Sequence, residues 1–315
     1  MNDDLQKELR SIRNEIAHSA RQYDIPEIAA RLSKLGVSFS ASELPEIFST
    51  IFGAFGPHGG EYFVPSQFLQ AISALLAGRK AEVVCDPWAG YGFVLSAVYE
   101  TTKPNKAIAF EKNEAAAKLG RVILRNSEWL IGNPLRLLNE FKDEFDIVAS
   151  CPPFGVKNTD PLQIKSNSGE SISLQDDLGN LVLVAASLKL KEDGIGIFIV
   201  PSSFFLSKHS VKKRFPDLGL GIEAALEFPS GTFAPLTNIQ SYLVLIRRAQ
   251  RPRMFVGLLS NDTNTNRQVI SNLKHNREGA TLELGRFVDP LSFAGLAGIR
   301  VAERFIKAEG QYGPP

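Results

Sequence analysis

From residue 61 onward, short greasy runs alternate with helical patterns, and this rhythm constrains the fold more than any other feature. The runs are AEVVCDP (81–87), KAIAFE (106–111), WLIG (129–132), FDIVAS (145–150), GIGIFIVP (194–201), IEAALEFP (222–229) and QSYLVLIRR (240–248). Between most of them lie stretches with helical spacing: SQFLQAISALLA (66–77), FVLSAVYETT after Gly92, EAAAKLGRVILRN, PLRLLNEFK and NLVLVAASLKL. Strands alternating with helices predict a doubly wound, mostly parallel α/β sheet, here of seven strands. The last two strands have little helix between them and are expected to pair antiparallel at an edge.

Before this region the periodicity is purely helical. LQKELRSIRNEIAHSARQY keeps Leu5, Leu9, Ile12 and Ile16 on one face, and IPEIAARLSKLG and SASELPEIFSTIFGAF follow, the last opened by a serine N-cap signal. Residues 1–58 therefore read as a helical N-terminal region, closed by the glycine-rich break 56–60. Residues 59–250 read as the main α/β domain. Residues 251–315 form a weaker C-terminal extension: a strand-like RMFVGLL, a polar NDTNTN stretch and a helix expected around 291–308. It stops without a closing element, as a truncated chain or one continuing into a further domain would. Residues 156–180 are polar and read as a long loop, a length usually reserved for function or disorder.

The chain has 315 residues and a net charge of +1, so no overall positive field draws in nucleic acid and any such contact needs local patches. Two cysteines, Cys85 and Cys151, make no disulfide framework and fit a reducing cytoplasmic location. A pair between them at neighbouring strand exits is a minor alternative. No apolar run is long enough to span a membrane, and the charged MNDDLQKELRSIRNE start is not a signal peptide.

Ligands of open α/β sheets bind beyond the carboxyl ends of the strands. The first tip reads Asp86-Pro87-Trp88-Ala89-Gly90-Tyr91-Gly92, whose glycines allow a tight turn and close backbone approach to a ligand. Taken alone, an ordinary strand-to-helix turn explains it equally well. Glu111 ends the second run, at the spacing of an acid that accepts from ribose hydroxyls. Asn133, at the third tip, suits either an adenine amino group or the N-cap of the helix after Pro134. The fourth tip is Cys151-Pro152-Pro153-Phe154: two prolines stiffen the loop, and Phe154 offers a face to a planar ring.

The ordered set D-P-x-A-G-x-G, strand-end Glu, then a [N/D/S]-P-P-[F/Y/W]-like loop resembles the adenine-N6 DNA methyltransferases that use S-adenosylmethionine. Within them it most resembles the methylation subunit of type I restriction–modification systems, with further likeness in 59–76, 190–206 and 226–248. The resemblance implies a Rossmann-like fold. It also implies that Tyr62, Phe63 and Pro65 line the cofactor pocket, that Asp86, Ala89, Gly90 and Gly92 cradle S-adenosylmethionine, that Glu111 holds its ribose and Asn133 its adenine, and that Cys151 to Phe154 form the catalytic loop. No metal is implied. The implied partners are DNA bearing the target adenine, a specificity subunit or domain supplied elsewhere, and a restriction subunit; no membrane is involved.

Cys151 departs from the pattern, which has Asn, Asp or Ser there. A neutral sulfur is a weak acceptor for the protons of an amine. The order C-P-P also differs from the P-C of 5-cytosine methyltransferases, which argues against a nucleophilic role. Two functions stay open: a DNA adenine-N6 methyltransferase, or an impaired S-adenosylmethionine-binding pseudoenzyme acting in DNA binding or assembly. An RNA or protein amino methyltransferase shares the motif, but the subgroup likeness argues against it. Two basic clusters are candidate phosphate contacts: Lys208, His209, Lys212, Lys213 and Arg214, and Arg247, Arg248, Arg251 and Arg253.

Overall fold

In the computed structural model, which describes residues 3–18, 24–36, 38–52, 64–233 and 237–299, three helices precede the sheet: α1 (Asp3–His18), α2 (Ile25–Lys34) and α3 (Leu44–Phe52). Leu5, Leu9 and Ile12 of α1 are buried, as the helical spacing predicts, together with Ile28 and Leu32 of α2. These residues share one core with the helices on the near face of the sheet, so the N-terminal helices are packed onto the α/β body. The expected glycine break at 56–60, with Tyr62 and Phe63, lies outside the described residues.

The α/β part then runs α4 (Ser66–Leu76), β1 (Val83–Asp86), α5 (Phe93–Thr102), β2 (Lys106–Glu111), α6 (Glu114–Ile123), β3 (Glu128–Ile131), α7 (Pro134–Glu140) and β4 (Phe145–Ser150). After β4 come β5 (Leu162–Lys165), β6 (Ser171–Leu174), α8 (Leu178–Ser187), β7 (Leu190–Pro201), α9 (Ser203–Leu206), β8 (Gly221–Glu227), β9 (Ser241–Arg247), β10 (Met254–Leu258), α10 (Thr263–Lys274) and β11 (Arg286–Val288). The main sheet has nine strands in the order β11-β10-β8-β9-β7-β4-β1-β2-β3. Strands β3, β2, β1, β4 and β7 are mutually parallel, and β9 runs antiparallel between β7 and β8. Among the described residues no helix is long and apolar enough to cross a membrane.

The expected count of seven strands is corrected to nine. RMFVGLL supplies β10, parallel to β8, and Arg286–Val288 adds β11 antiparallel to β10. The pair β8 and β9 is antiparallel as expected but is not an edge, because β10 and β11 continue the sheet past it. A three-residue strand such as β11 carries too little alternation to be seen in sequence. The polar NDTNTN stretch opens α10: Asp262 caps it by accepting from the Asn264 and Thr265 amides. Of the helix expected at 291–308, residues 291–299 are described: 296–299 are helical, whereas 291–295 form a turn and an irregular stretch, so the helix starts later than expected. The long polar segment 156–180 contains the two-stranded β5–β6 hairpin, in which exposed residues alternate with Ile172 and Leu174, both buried.

Both faces of the sheet are covered, which explains why the strands read as continuous apolar runs instead of alternating ones. One face packs Ile147, Ala149 and Ile197 against α4, α5 and α6. The other packs Val148, Phe198 and Val200 against α8 and α9. Cys85 belongs to the second face and Cys151 packs on the first, so the two thiols lie on opposite sides of the sheet, and both are free.

Candidate functional site

The sheet order sets the tips of β4, β1, β2 and β3 side by side at one edge. Asp86 ends β1 with no exposed surface. Its Oδ1 accepts from the Ser150 hydroxyl at 2.6 Å and the Trp88 amide at 3.0 Å, tying the β1 tip to the residue just before Cys151. Its Oδ2 is buried and has no hydrogen-bond partner among the described residues. Burial, opposed by the two hydrogen bonds and reinforced by the nearby Glu111 charge, pushes the Asp86 carboxyl up to about 7.

The turn after Asp86 has the shape its glycines permit. Gly92 sits at φ +86°, in the left-handed region, and begins α5. Ala89 is buried and its amide donates to the Phe110 carbonyl at 3.0 Å. Glu111 braces the same turn, accepting from the Gly90 amide through Oε2 and the Asn113 amide through Oε1, both at 2.8 Å. Burial raises its carboxyl above the ordinary range, against those hydrogen bonds. Two backbone donors leave lone pairs on both carboxylate oxygens for further partners.

Gly132 donates its amide to the Glu111 carbonyl at 3.0 Å, holding the third tip beside the second. Asn133 is exposed, and its Oδ1 accepts from the Leu135 amide at 2.9 Å and the Arg136 amide at 3.4 Å. Its carbonyl oxygen therefore caps α7, the alternative that the following proline suggests. Pro65 is buried and begins α4, with its carbonyl accepting from Phe68. No hydrogen bond among the described residues joins Pro65 to the four strand tips.

At the fourth tip, Cys151 is part-buried as a residue while its sulfur is enclosed. Burial and the neighbouring Asp86 charge push its thiol up to about 12. It is a neutral S–H, with neither the acceptor strength nor the nucleophilicity of a thiolate. Pro152 is buried, and its carbonyl takes no hydrogen bond from the described residues. The start of α8 presses on this loop: a Cβ on Gly179 would stand 2.5 Å from the Pro153 carbonyl oxygen. The Phe154 ring lies 5.5 Å from the Phe233 ring at 59°, a tilted contact that covers part of its surface.

Direct hydrogen bonds thus tie Asp86 to Ser150, the residue preceding Cys151, and Glu111 to Gly90 of the glycine turn. Sequence reading missed several supporting groups. Ser150 looked like an ordinary strand residue, and Gly179 sits in a polar run with no motif of its own. Phe233 is distant in sequence from the loop it touches. Trp88 occupies the variable position of the glycine motif, where its ring receives the Lys112 ammonium at 5.2 Å. Among the described residues no group of His, Cys, Asp and Glu is placed to hold a metal ion.

A sequence profile of the N-6 DNA methylase family matches residues 44–279. Of solved structures, the model resembles a Vibrio vulnificus modification subunit assigned to a type I restriction enzyme, at 16% identity and a TM-score of 0.61 over 86% of this chain. A structure from work on assembly and conformational transition of a type I restriction–modification system matches at 17% identity and TM-score 0.60, over 92% of this chain and 70% of that one. The type I methyltransferase subunit from Streptococcus thermophilus matches at 13% identity and TM-score 0.58, over 73% of this chain and 56% of that one. The chain spans 62% of the length of the Vibrio subunit. No curated protein matches the sequence. At these identities the structural likeness speaks for the fold.

Proposed function

The chain belongs to the N-6 DNA methylase family, and from that premise we propose that it methylates the exocyclic amine of adenine in DNA, using S-adenosylmethionine. The observation that carries this reading is the buried Oδ2 of Asp86, without a hydrogen-bond partner among the described residues and set between the glycine turn and the Cys151–Phe154 loop. A buried carboxylate oxygen with no donor is costly unless a ligand completes it, and a cationic ligand end does so. The residues therefore fit this cofactor. Asp86, Ala89, Gly90 and Gly92 would hold it, with Glu111 on its ribose, Asn133 near its adenine and Tyr62, Phe63 and Pro65 lining the pocket. When bound, S-adenosylmethionine supplies a methyl group activated by its sulfonium charge.

The chain's own work is to prepare the amine. Adenine N6 is a poor nucleophile because its lone pair is delocalised into the ring. The free Pro152 carbonyl accepts one amine proton, and Phe154 holds the extruded base by stacking. Where the pattern has a strong second acceptor, this chain offers the neutral Cys151 thiol. If the loss of an oxyanion-hole donor is a guide, this costs about 2.7–4 kcal/mol, or roughly 10²–10³ in rate. The thiol's raised pKa thus favours a second reading: a cofactor-binding subunit with little or no transfer activity.

We assign the chain, in either reading, to a cytoplasmic restriction–modification-like assembly whose specificity and restriction parts lie on other chains. Calorimetry with S-adenosylmethionine, followed by tritiated methyl transfer to DNA, tests both. Binding with transfer supports the first reading, and binding with transfer only in Cys151→Asn supports the second. Absence of binding refutes both.

A further inference from the structure

Five large apolar side chains are exposed among the described residues, and four of them stand at the carboxyl edge of the sheet. Ile131 ends β3, Val156 follows the catalytic loop, Leu206 ends α9, and Ile239 precedes β9, which runs antiparallel and so begins at that edge. Leu206 is the most exposed of these four, at 59%. Its position relative to the catalytic loop follows from register. Ser150 pairs with Phe198 in the parallel β4–β7 ladder, so both strands leave the sheet at the same edge, and α9 starts two residues after β7 ends at Pro201. Ser203, Ser207 and His209 share a cavity of about 280 Å³ with Lys157 and Asn158, which places the α9 turn across from the segment leaving Phe154. The Ser202 amide donates to the Gln240 carbonyl at 2.8 Å and brings Ile239 to the same turn.

The charges around this rim separate the two basic clusters of the sequence. Arg247 pairs with Glu223 and Arg248 with Glu144; Arg247 ends β9 and Arg248 follows it, at the sheet edge opposite the site. In the other cluster Lys212 is buried, its ammonium donating to the Phe293 and Pro290 carbonyls at 3.2 and 3.4 Å, and Arg214 pairs with Asp217 at 3.1 Å. Lys157 and Lys208 are exposed and make no ion pair with the described residues. Two carboxylates also border the cavity: Asp176 is turned inward, accepting from the Asn180 side chain and the Val211 amide, and Asp177, bridged to Lys157 through the backbone, feels the Lys157 charge. An exposed leucine with the exposed ammonium groups of Lys157 and Lys208 nearby, beside a loop that must receive a base, matches the chemistry of a stacked polyanion: phosphates for the cations and a base step for the apolar tip.

Resting on the methyltransferase reading, we infer that this rim is the face that docks duplex DNA, and that Leu206 is an apolar wedge filling the stack where the target adenine leaves. Leu206 touches no reacting atom and is a positioning residue. The test is a binding measurement with the full chain, using fluorescence anisotropy on a short mixed-sequence duplex, fully paired or carrying a single unpaired adenine. Because an unpaired base costs less to unstack, the native protein binds the second duplex several-fold more tightly. Leu206→Ala binds both duplexes equally, at the fully paired level. Lys157→Glu with Lys208→Glu weakens binding to both by about tenfold or more at low salt and flattens the log–log salt slope by about 2. The inference is overturned if the native protein shows no binding or no preference, if Leu206→Ala keeps the preference, or if the lysine variant binds normally. Methyl transfer is measured separately: the expected binding without any transfer retains the docking face and refutes the enzymatic reading.

Discussion

Asp86→Asn isolates the electrostatic cost built into the site. In an unfolded chain this carboxyl titrates near 3.9, and in the folded protein burial pushes it up to about 7. A carboxyl whose folded value is raised binds more protons folded than unfolded between those two pH values. Stability is therefore lost as pH climbs through that window, with the full loss present above about pH 7. At about 1.4 kcal/mol for each pH unit between the two values, the loss reaches about 4 kcal/mol, an upper bound because water and relaxation soften a buried charge. Asparagine keeps an oxygen for the Ser150 hydroxyl and the Trp88 amide and cannot ionise. Its amide nitrogen replaces the unpartnered Oδ2, which adds a penalty of about 1–3 kcal/mol that does not vary with pH. The prediction concerns the pH-dependent part alone. Measured by urea unfolding, the stability of the variant relative to the native protein should rise by about 2–3 kcal/mol between about pH 5 and about pH 8. A gap that stays constant across that range, or narrows, would refute the claim that Asp86 is held in a costly buried state. The same variant should bind S-adenosylmethionine more weakly by calorimetry, since the proposed ligand contact loses its charge.

Three further outcomes follow from the Cys151–Phe154 loop. The Cys151 thiol, pushed up to about 12, should alkylate with iodoacetamide far more slowly than free cysteine near pH 8, read by mass spectrometry; fast labelling would mean an activated thiolate. Cys151→Asn should raise methyl transfer to DNA by about 10²-fold or more if the missing acceptor limits the rate, and an unchanged rate would remove that explanation. Gly179→Ala places a Cβ against the Pro153 carbonyl and should cost about 1–3 kcal/mol in urea unfolding while lowering transfer, because α8 must shift off the loop.

Much of this protein was legible from one dimension. The runs KAIAFE and FDIVAS coincide with β2 and β4, because strands buried on both faces must be continuously apolar and their ends are marked by glycine, proline or acid. The four strand tips could be named from that rhythm and from the rule that ligands gather at carboxyl ends. Composition said less about polar elements. The β5–β6 hairpin and α10 are built from residues that suit loops equally well, and only hydrogen bonds such as the Asp262 cap select the structure formed.

What the sequence determined by itself was the fold class, the candidate tips and the odd residue among them, Cys151. Tertiary structure decided their state. Asn133 spends its carbonyl oxygen on a helix cap, Glu111 braces the glycine turn, and Asp86 keeps one buried oxygen without a partner. It also divided the basic clusters, burying Lys212 and pairing Arg214, Arg247 and Arg248, while Lys208 stays exposed near Leu206. The physical reason is range. Period and propensity act over a few neighbours along the chain, whereas desolvation, pairing and exposure depend on groups brought together from distant positions, as Ser150 is to Asp86.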